Sequence, residues 1–150
     1  MDKYINRLLK TLKIEFLASW LIAIVAAVMG QVDLIPNGIV QPHSNAEFKL
    51  NTMVIILTVV GVPTSLKLFS LNTTKGLRRM NNDEALRSYH VWSTVRMAVL
   101  TADAILGFVA YYLSLNVTGL LCALVAMATT FYCWPVEHKI SDYVDRQKMD

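Results

Sequence analysis

Four apolar stretches, each long enough to cross a bilayer as a helix, leave this chain few folds to choose from. They cover residues 12–30, 53–71, 95–115 and 117–134. A span needs about 20 predominantly apolar residues. Inside lipid the backbone must satisfy its own polar groups, so a helix is the form each stretch should take. The expected fold is an all-α, four-helix transmembrane bundle, with residues 1–150 forming a single integral membrane domain. Its connections are an external loop at 31–50, a cytoplasmic connection at 72–94 and a cytoplasmic tail at 135–150.

The charges orient those spans. Of 14 Lys and Arg residues, only Lys49 falls on the loop side of the membrane. Lys3, Arg7, Lys10 and Lys13 precede the first span. Lys67, Lys75, Arg78, Arg79, Arg87 and Arg96 lie in the middle connection and the helix ends beside it. Lys139, Arg146 and Lys148 lie in the tail. Basic residues near span ends stay cytoplasmic, so both termini are expected inside, in a membrane of the bacterial inner (plasma) type. Charged residues make up 17% of the chain, against about 25% in soluble domains. Glu15 interrupts the start of the first apolar run, which favours a retained span over a cleaved leader.

Local signals place the ends of the elements. Ile5, Leu8, Leu9 and Leu12 recur at helical spacing among Lys3, Arg7 and Lys10, the pattern of a short amphipathic helix on the membrane surface. Pro36, Gly38 and Pro42 mark the external loop as irregular. Ser44 followed by Glu47 makes a capping box, so the second helix should begin near Asn45. The third should restart at 81 or 82 and run to about Leu113, projecting several turns into the cytoplasm. Asn116 should cap the fourth after a tight turn, and Pro135 should end or kink it. The Asn116-Val117-Thr118 sequence has the form of a glycosylation acceptor, but the turn lies against the membrane. In the tail, Val136, Ile140, Tyr143 and Val144 specify a short cytoplasmic C-terminal helix.

Each span carries one stripe of small or polar residues. They are Ser19, Ala23, Ala26 or Ala27 and Gly30; Thr58, Gly61 and Ser65; Asp103, Gly107, Ala110 and Ser114; and Gly119, Ala123, Ala126 and Thr130. Helices in lipid associate by close packing, so these stripes are the expected contact faces. Pro63 should kink the second helix.

Four ionisable residues lie in or beside the spans: Glu15, Lys67, Arg96 and Asp103. Asp103 is expected near the midplane, where an aspartate costs on the order of 3 kcal/mol. Side chains tilt toward a helix's N-terminus, so Lys67 and Asp103 lean toward each other on antiparallel helices. They are the expected pair, direct or water-bridged, with Glu15 beside Lys67 or Arg96. The pair has three available roles: fixing helix register, binding a proton or cation, or meeting a charge on another subunit.

Other chemistry is poorly represented. Cys122 and Cys133 are eleven residues apart on one span, about 16 Å, too far for a disulfide. His43, His90 and His138 avoid the mid-membrane positions a haem would need, although His90 and His138 lie at the same rim. No nucleophile elbow or phosphate loop is present, and no cofactor or metal is expected. The basic residues are split among short segments, so nucleic acid is not an expected partner. The leading expectation is a non-enzymatic multi-pass membrane protein, a subunit or scaffold. Its basic cytoplasmic face would contact anionic lipid or a protein partner, with Lys3, Arg7, Lys10, Lys13, Arg78 and Arg79 meeting headgroups. The alternative is a small proton- or cation-linked transporter or channel, a homo-oligomer using Asp103 and Lys67 beside Pro63.

Overall fold

The computed structural model describes residues 2–34, 36–75 and 82–134. They form four helices with no strand among the described residues: α1 (Asp2–Gln31), α2 (Asn45–Lys75), α3 (Asn82–Ser114) and α4 (Val117–Tyr132). By length and composition α1, α2 and α3 can each cross a membrane. At 16 residues α4 is apolar but shorter, rising about 24 Å. The expected tail helix, together with Arg78 and Arg79, lies outside the described residues.

Polar residues set the helix ends where the sequence placed them. Ser44 Oγ accepts from the Glu47 amide at 3.2 Å, and Glu47 Oε2 accepts from the His43 amide at 2.6 Å. This reciprocal pair starts α2 at Asn45. Asn116 Oδ1 accepts from the Thr118 amide and opens α4. The Asn116 side-chain amide also donates to Glu47 Oε1 at 2.8 Å, tying the start of α2 to the α3–α4 turn. At the far end, α4 closes on Cys133, two residues before Pro135. The residue preceding a proline is disfavoured in helical conformation, so the stop is local.

The sequence predicts a separate amphipathic helix at the N-terminus, lying on the membrane surface. Instead α1 is a single helix of 30 residues. No Gly or Pro occurs before Gly30 to interrupt it. Its leucine stripe turns inward rather than toward lipid: Leu8, Leu9 and Leu12 bury against Leu86 of α3, with Ile5 and Tyr89 beside them. The extension of α3 supplies the apolar partner that a surface helix would otherwise seek in the bilayer. α2 likewise runs without interruption through Pro63.

Successive contacts give the directions. Glu15 meets Thr94, Ser19 meets Thr101, and Ala27 meets Tyr112, so α1 and α3 run the same way. α2 and α4 run against them, since Thr58 meets Asp103 and Gly119 meets Gly107. One end of the molecule gathers the starts of α1 and α3 with the finish of α2; Lys3, Arg7, Lys10, Lys13, Lys67 and Arg87 are exposed toward it. Lys49 is exposed toward the other end, where residues 32–44 connect α1 to α2. That loop folds back on α3: the amides of Gly38 and Val40 donate to Tyr112 and Leu113 carbonyls. Those carbonyls sit in the last turn, where a helix has no partners of its own.

α3 packs against each of the other helices. Half of its apolar stretch is buried, against 22% for α1 and 17% for α2. Its closest neighbour is α4. A Cβ on Gly119 would stand 2.7 Å from the Gly107 carbonyl oxygen, and one on Gly107 would stand 2.9 Å from the Ala123 amide. Only glycine permits that approach. At the loop end the Tyr112 ring lies over Gly30 and its hydroxyl donates to the Ala27 carbonyl at 2.7 Å. Nearer the basic end, Phe16, Met97, Leu100 and Cys133 form a core with Val62 and Leu66 of α2. Phe16 also stacks edge-on against Trp134, with ring centroids 4.6 Å apart.

Gly61 is the exception among the small residues, because a Cβ there would meet nothing within 4 Å. Gly119→Leu should therefore cost at least the ~1–3 kcal/mol of an overpacked core, while Gly61→Ala should be close to neutral. Thermal unfolding of the two variants in the same detergent checks the contrast. Equal losses would show that α3 and α4 do not meet at Gly119.

Candidate functional site

Asp103 is the most deeply placed ionisable group among the described residues, at 3% exposure. It sits on the α3 face that carries Gly107, Ala110 and Ser114, all buried. Its partner is Thr58 of α2, whose hydroxyl donates to Asp103 Oδ1 at 3.1 Å. The second oxygen, Oδ2, is buried with no hydrogen-bond partner among the described residues. A carboxyl group left half satisfied in a dry interior is costly, which makes this the first place to look for chemistry.

Two further hydroxyl contacts join α1 to α3. Ser19 Oγ and Thr101 Oγ1 lie 2.5 Å apart, and Thr101 donates its proton to the Met97 carbonyl at 2.7 Å. A hydroxyl has one proton to give, so Ser19 is the donor between the two. Nearer the basic end, Glu15 Oε2 accepts from the Thr94 hydroxyl at 2.9 Å. Glu15 Oε1 lies 3.4 Å from His90 Nε2, an ion-pair distance without hydrogen-bond alignment. The Glu15 side chain is therefore held by α3, one turn below the spanning core.

Lys67 does not reach Asp103. It is exposed, and the Asp103 carboxylate meets Thr58 instead. The reason is azimuth. Thr58 and Lys67 are nine residues apart, and at 3.6 residues per turn they point about 180° away from each other. The lean of a side chain along the helix axis, on which the expected pair was built, cannot overcome a half-turn around it. Glu15 likewise sits beside neither Lys67 nor Arg96, but against His90 and Thr94.

Arg96 packs against α2 rather than beside Glu15. Its guanidinium carbon lies 4.0 Å from the centroid of the Phe69 ring of α2. Its Nε is buried with no hydrogen-bond partner. The cation–π contact holds the guanidinium between α2 and α3 without neutralising it. Pro63 is exposed one turn above, and Ser65 donates to the Val62 carbonyl at 2.8 Å rather than bonding across to another helix.

Lys3, Arg7, Lys10 and Lys13, expected to meet headgroups, are all exposed on α1. The two cysteines are not joined in a disulfide; Cys133 is buried and Cys122 half-buried. No group of three or more His, Cys, Asp or Glu residues able to hold a metal ion occurs among the described residues. The signal for the Thr58–Asp103 contact was present in the sequence, since each residue belongs to the small-residue stripe of its own helix. In the sequence, charge complementarity favours Lys67 over a neutral hydroxyl as the partner of Asp103. No protein-family model matches the chain, and no curated protein or solved structure matches it.

These contacts separate by mutation. Thr58→Val strips Asp103 of its hydroxyl and should cost about 1–3 kcal/mol. In the Asp103→Leu background the same change should cost much less. The corresponding cycle between Lys67→Gln and Asp103→Leu should give no coupling. Unfolding midpoints of both cycles in one detergent measure this, and coupling through Lys67 rather than Thr58 would overturn the assignment.

Proposed function

We propose that the chain is a four-helix multi-pass membrane protein of the bacterial inner membrane type, with both termini cytoplasmic. In this reading it works as a non-enzymatic subunit or scaffold whose basic cytoplasmic face engages anionic lipid or a membrane protein partner. The observation that carries the reading is how the molecule divides its polar groups. Inside, side chains are used between helices: Thr58 with Asp103, Ser19 with Thr101, Glu15 with Thr94. Outside, exposed Lys and Arg collect at one end, where an anionic leaflet attracts each by about 1 kcal/mol. α1 and α2 leave broad apolar faces uncovered, such as Leu17, Leu21, Ile24 and Val28, for lipid or a neighbouring helix.

A second reading has one observation in its favour. The unpartnered Oδ2 of Asp103 is an acceptor available to a proton or small cation, which supports a transporter or channel. Lys67 drops out of that reading because it is exposed on the opposite face. The large groove between α2 and α3 does not include Asp103 or Thr58 among its walls, so it supplies no route to that oxygen.

Purification in mild detergent, followed by mass measurement and identification of co-purifying molecules, tests the proposal. The expected result is a stoichiometric protein partner or retained anionic lipid. A symmetric homo-oligomer whose ion flux in proteoliposomes is abolished by Asp103→Asn would overturn it in favour of transport. Orientation is tested separately with single cysteines in a Cys122→Ser, Cys133→Ser background. A membrane-impermeant thiol reagent added to intact cells should label Asn37→Cys and spare Lys3→Cys; the reverse pattern would sink the topology.

A further inference from the structure

A groove runs along the outside of α2 and α3 and holds about 680 Å³. Its walls extend from Phe48 and Lys49 to Phe69 on α2, about 30 Å by helical rise, close to the thickness of a hydrocarbon core. Nearly all of it is apolar, formed in its middle by Ile56, Val60, Leu68, Val95 and Val99. Gly61 and Thr64 make its floor low, and the space over Gly61 is open. Apolar grooves facing lipid are ordinary. This one differs at its basic end, where Arg96 and Trp92 form part of the wall and the Arg96 Nε is buried without a partner.

The guanidinium is fixed there. α3 runs from the basic end toward the loop end, so the Arg96 side chain tilts back toward the basic end and meets the Phe69 ring. A cation held over a ring, with no carboxylate within reach among the described residues, calls for an anion. The described residues of the helices offer none at that depth. Glu15 is engaged by Thr94 and His90, Asp103 is buried, and α4 carries no acidic residue. Glu84 lies twelve residues toward the basic end on α3, about 18 Å away. A second copy docking a described helix into the groove would therefore bring no counter-charge to Arg96. A phospholipid brings both parts at the correct levels: a phosphate at the interface and an acyl chain along the helices.

The geometry points to a specific anionic phospholipid site, with the phosphate on Arg96 beside Trp92 and one acyl chain lying over Gly61 between α2 and α3. This deepens the proposed lipid contact of the basic end by placing it at one built site, distinct from the exposed α1 lysines. Trp92 suits the headgroup level, where amphipathic rings settle. The neutral apolar stretch above Arg96 gives the chain its path, and the small side chains of Gly61 and Thr64 let it approach the backbone.

Electron paramagnetic resonance of the purified chain in phosphatidylcholine vesicles tests the site. Spin-labelled phosphatidylglycerol and spin-labelled phosphatidylcholine are compared for the motionally restricted component. The wild-type protein should restrict the anionic lipid preferentially. Arg96→Gln should reduce that preference roughly fivefold, the effect of one basic residue beside an anionic headgroup, and Arg96→Lys should restore most of it. Gly61→Leu fills open space, so it should fold normally and lower restriction of the anionic lipid. Lys13→Gln removes the same charge from an exposed face and should change the preference far less. The site is overturned if Arg96→Gln and Lys13→Gln act equally, because the effect is then diffuse surface charge. It is also overturned if Gly61→Leu converts a dimer to a monomer with lipid preference intact, because a second copy then fills the groove. The assay reads lipid chemistry without reference to which way the protein is inserted. A failed topology experiment and a failed lipid site are thereby distinguishable.

Discussion

The close approach of α3 to α4 at Gly107 and Gly119 is the contact on which the rest of the packing depends. Lipid chains are as apolar as leucine, so burying leucine against leucine inside a membrane gains little. What separates a defined arrangement from four loosely associated helices is dispersion at short range and hydrogen bonds across helices. The paired glycines bring two backbones into contact, and Ala123 and Ala126, both fully buried, extend the seam. With α4 fixed, α3 becomes a central post. α1 docks parallel to it through Ser19–Thr101 and Tyr112–Ala27, and α2 docks antiparallel to it through Thr58–Asp103.

The ends of the molecule are held by a different chemistry. At the loop end, Glu47 accepts from the His43 amide with one oxygen and from Asn116 with the other, so a single carboxylate joins two helix starts. The 32–44 loop closes the end of α3 with its own amides. At the basic end, the leucines of α1 bury against Leu86 of α3 in an apolar cluster of their own. The structure thus uses hydrogen bonds and small residues along the apolar spans, and apolar burial between the first turns of α1 and α3.

Which features could be read from the sequence follows from that division. Helix ends were legible because caps are local: Ser44, Glu47 and Asn116 act within four residues of their own position. The small-residue stripes were legible because a face is a matter of spacing on one helix, and Gly119, Ala123, Ala126 and Thr130 are all buried. Pairings between helices were less so. Lys67 and Asp103 share neither a face nor a contact, because the angle of α2 about its axis is set by packing with α3 and is written in no single segment. The leucine stripe of residues 1–13 had the correct period, but its destination, Leu86, lies in a segment that reads as polar. Period gives the face of a helix; only the assembled neighbours give what that face meets.

Exposed apolar area, which in a soluble protein marks an interface, carries no such meaning on α1 and α2, since lipid is their solvent. The informative positions in this molecule are the converse: buried polar groups that no neighbouring group satisfies. Among the described ionisable side chains, Asp103 and Arg96 stand out in this respect, and they differ in one decisive way. Asp103 faces inward, away from the groove, and shares its carboxyl group with Thr58, so its incomplete bonding is a property of the interior. Arg96 lines a groove open to the bilayer, and its guanidinium is held in place by a ring that cannot neutralise it. An unsatisfied group sealed inside stores a cost for the fold, whereas the same group at an open apolar wall selects what comes to lie there. That distinction, more than net charge or span number, is the ground for proposing lipid recognition at the α2–α3 face and a register role for the Thr58–Asp103 contact.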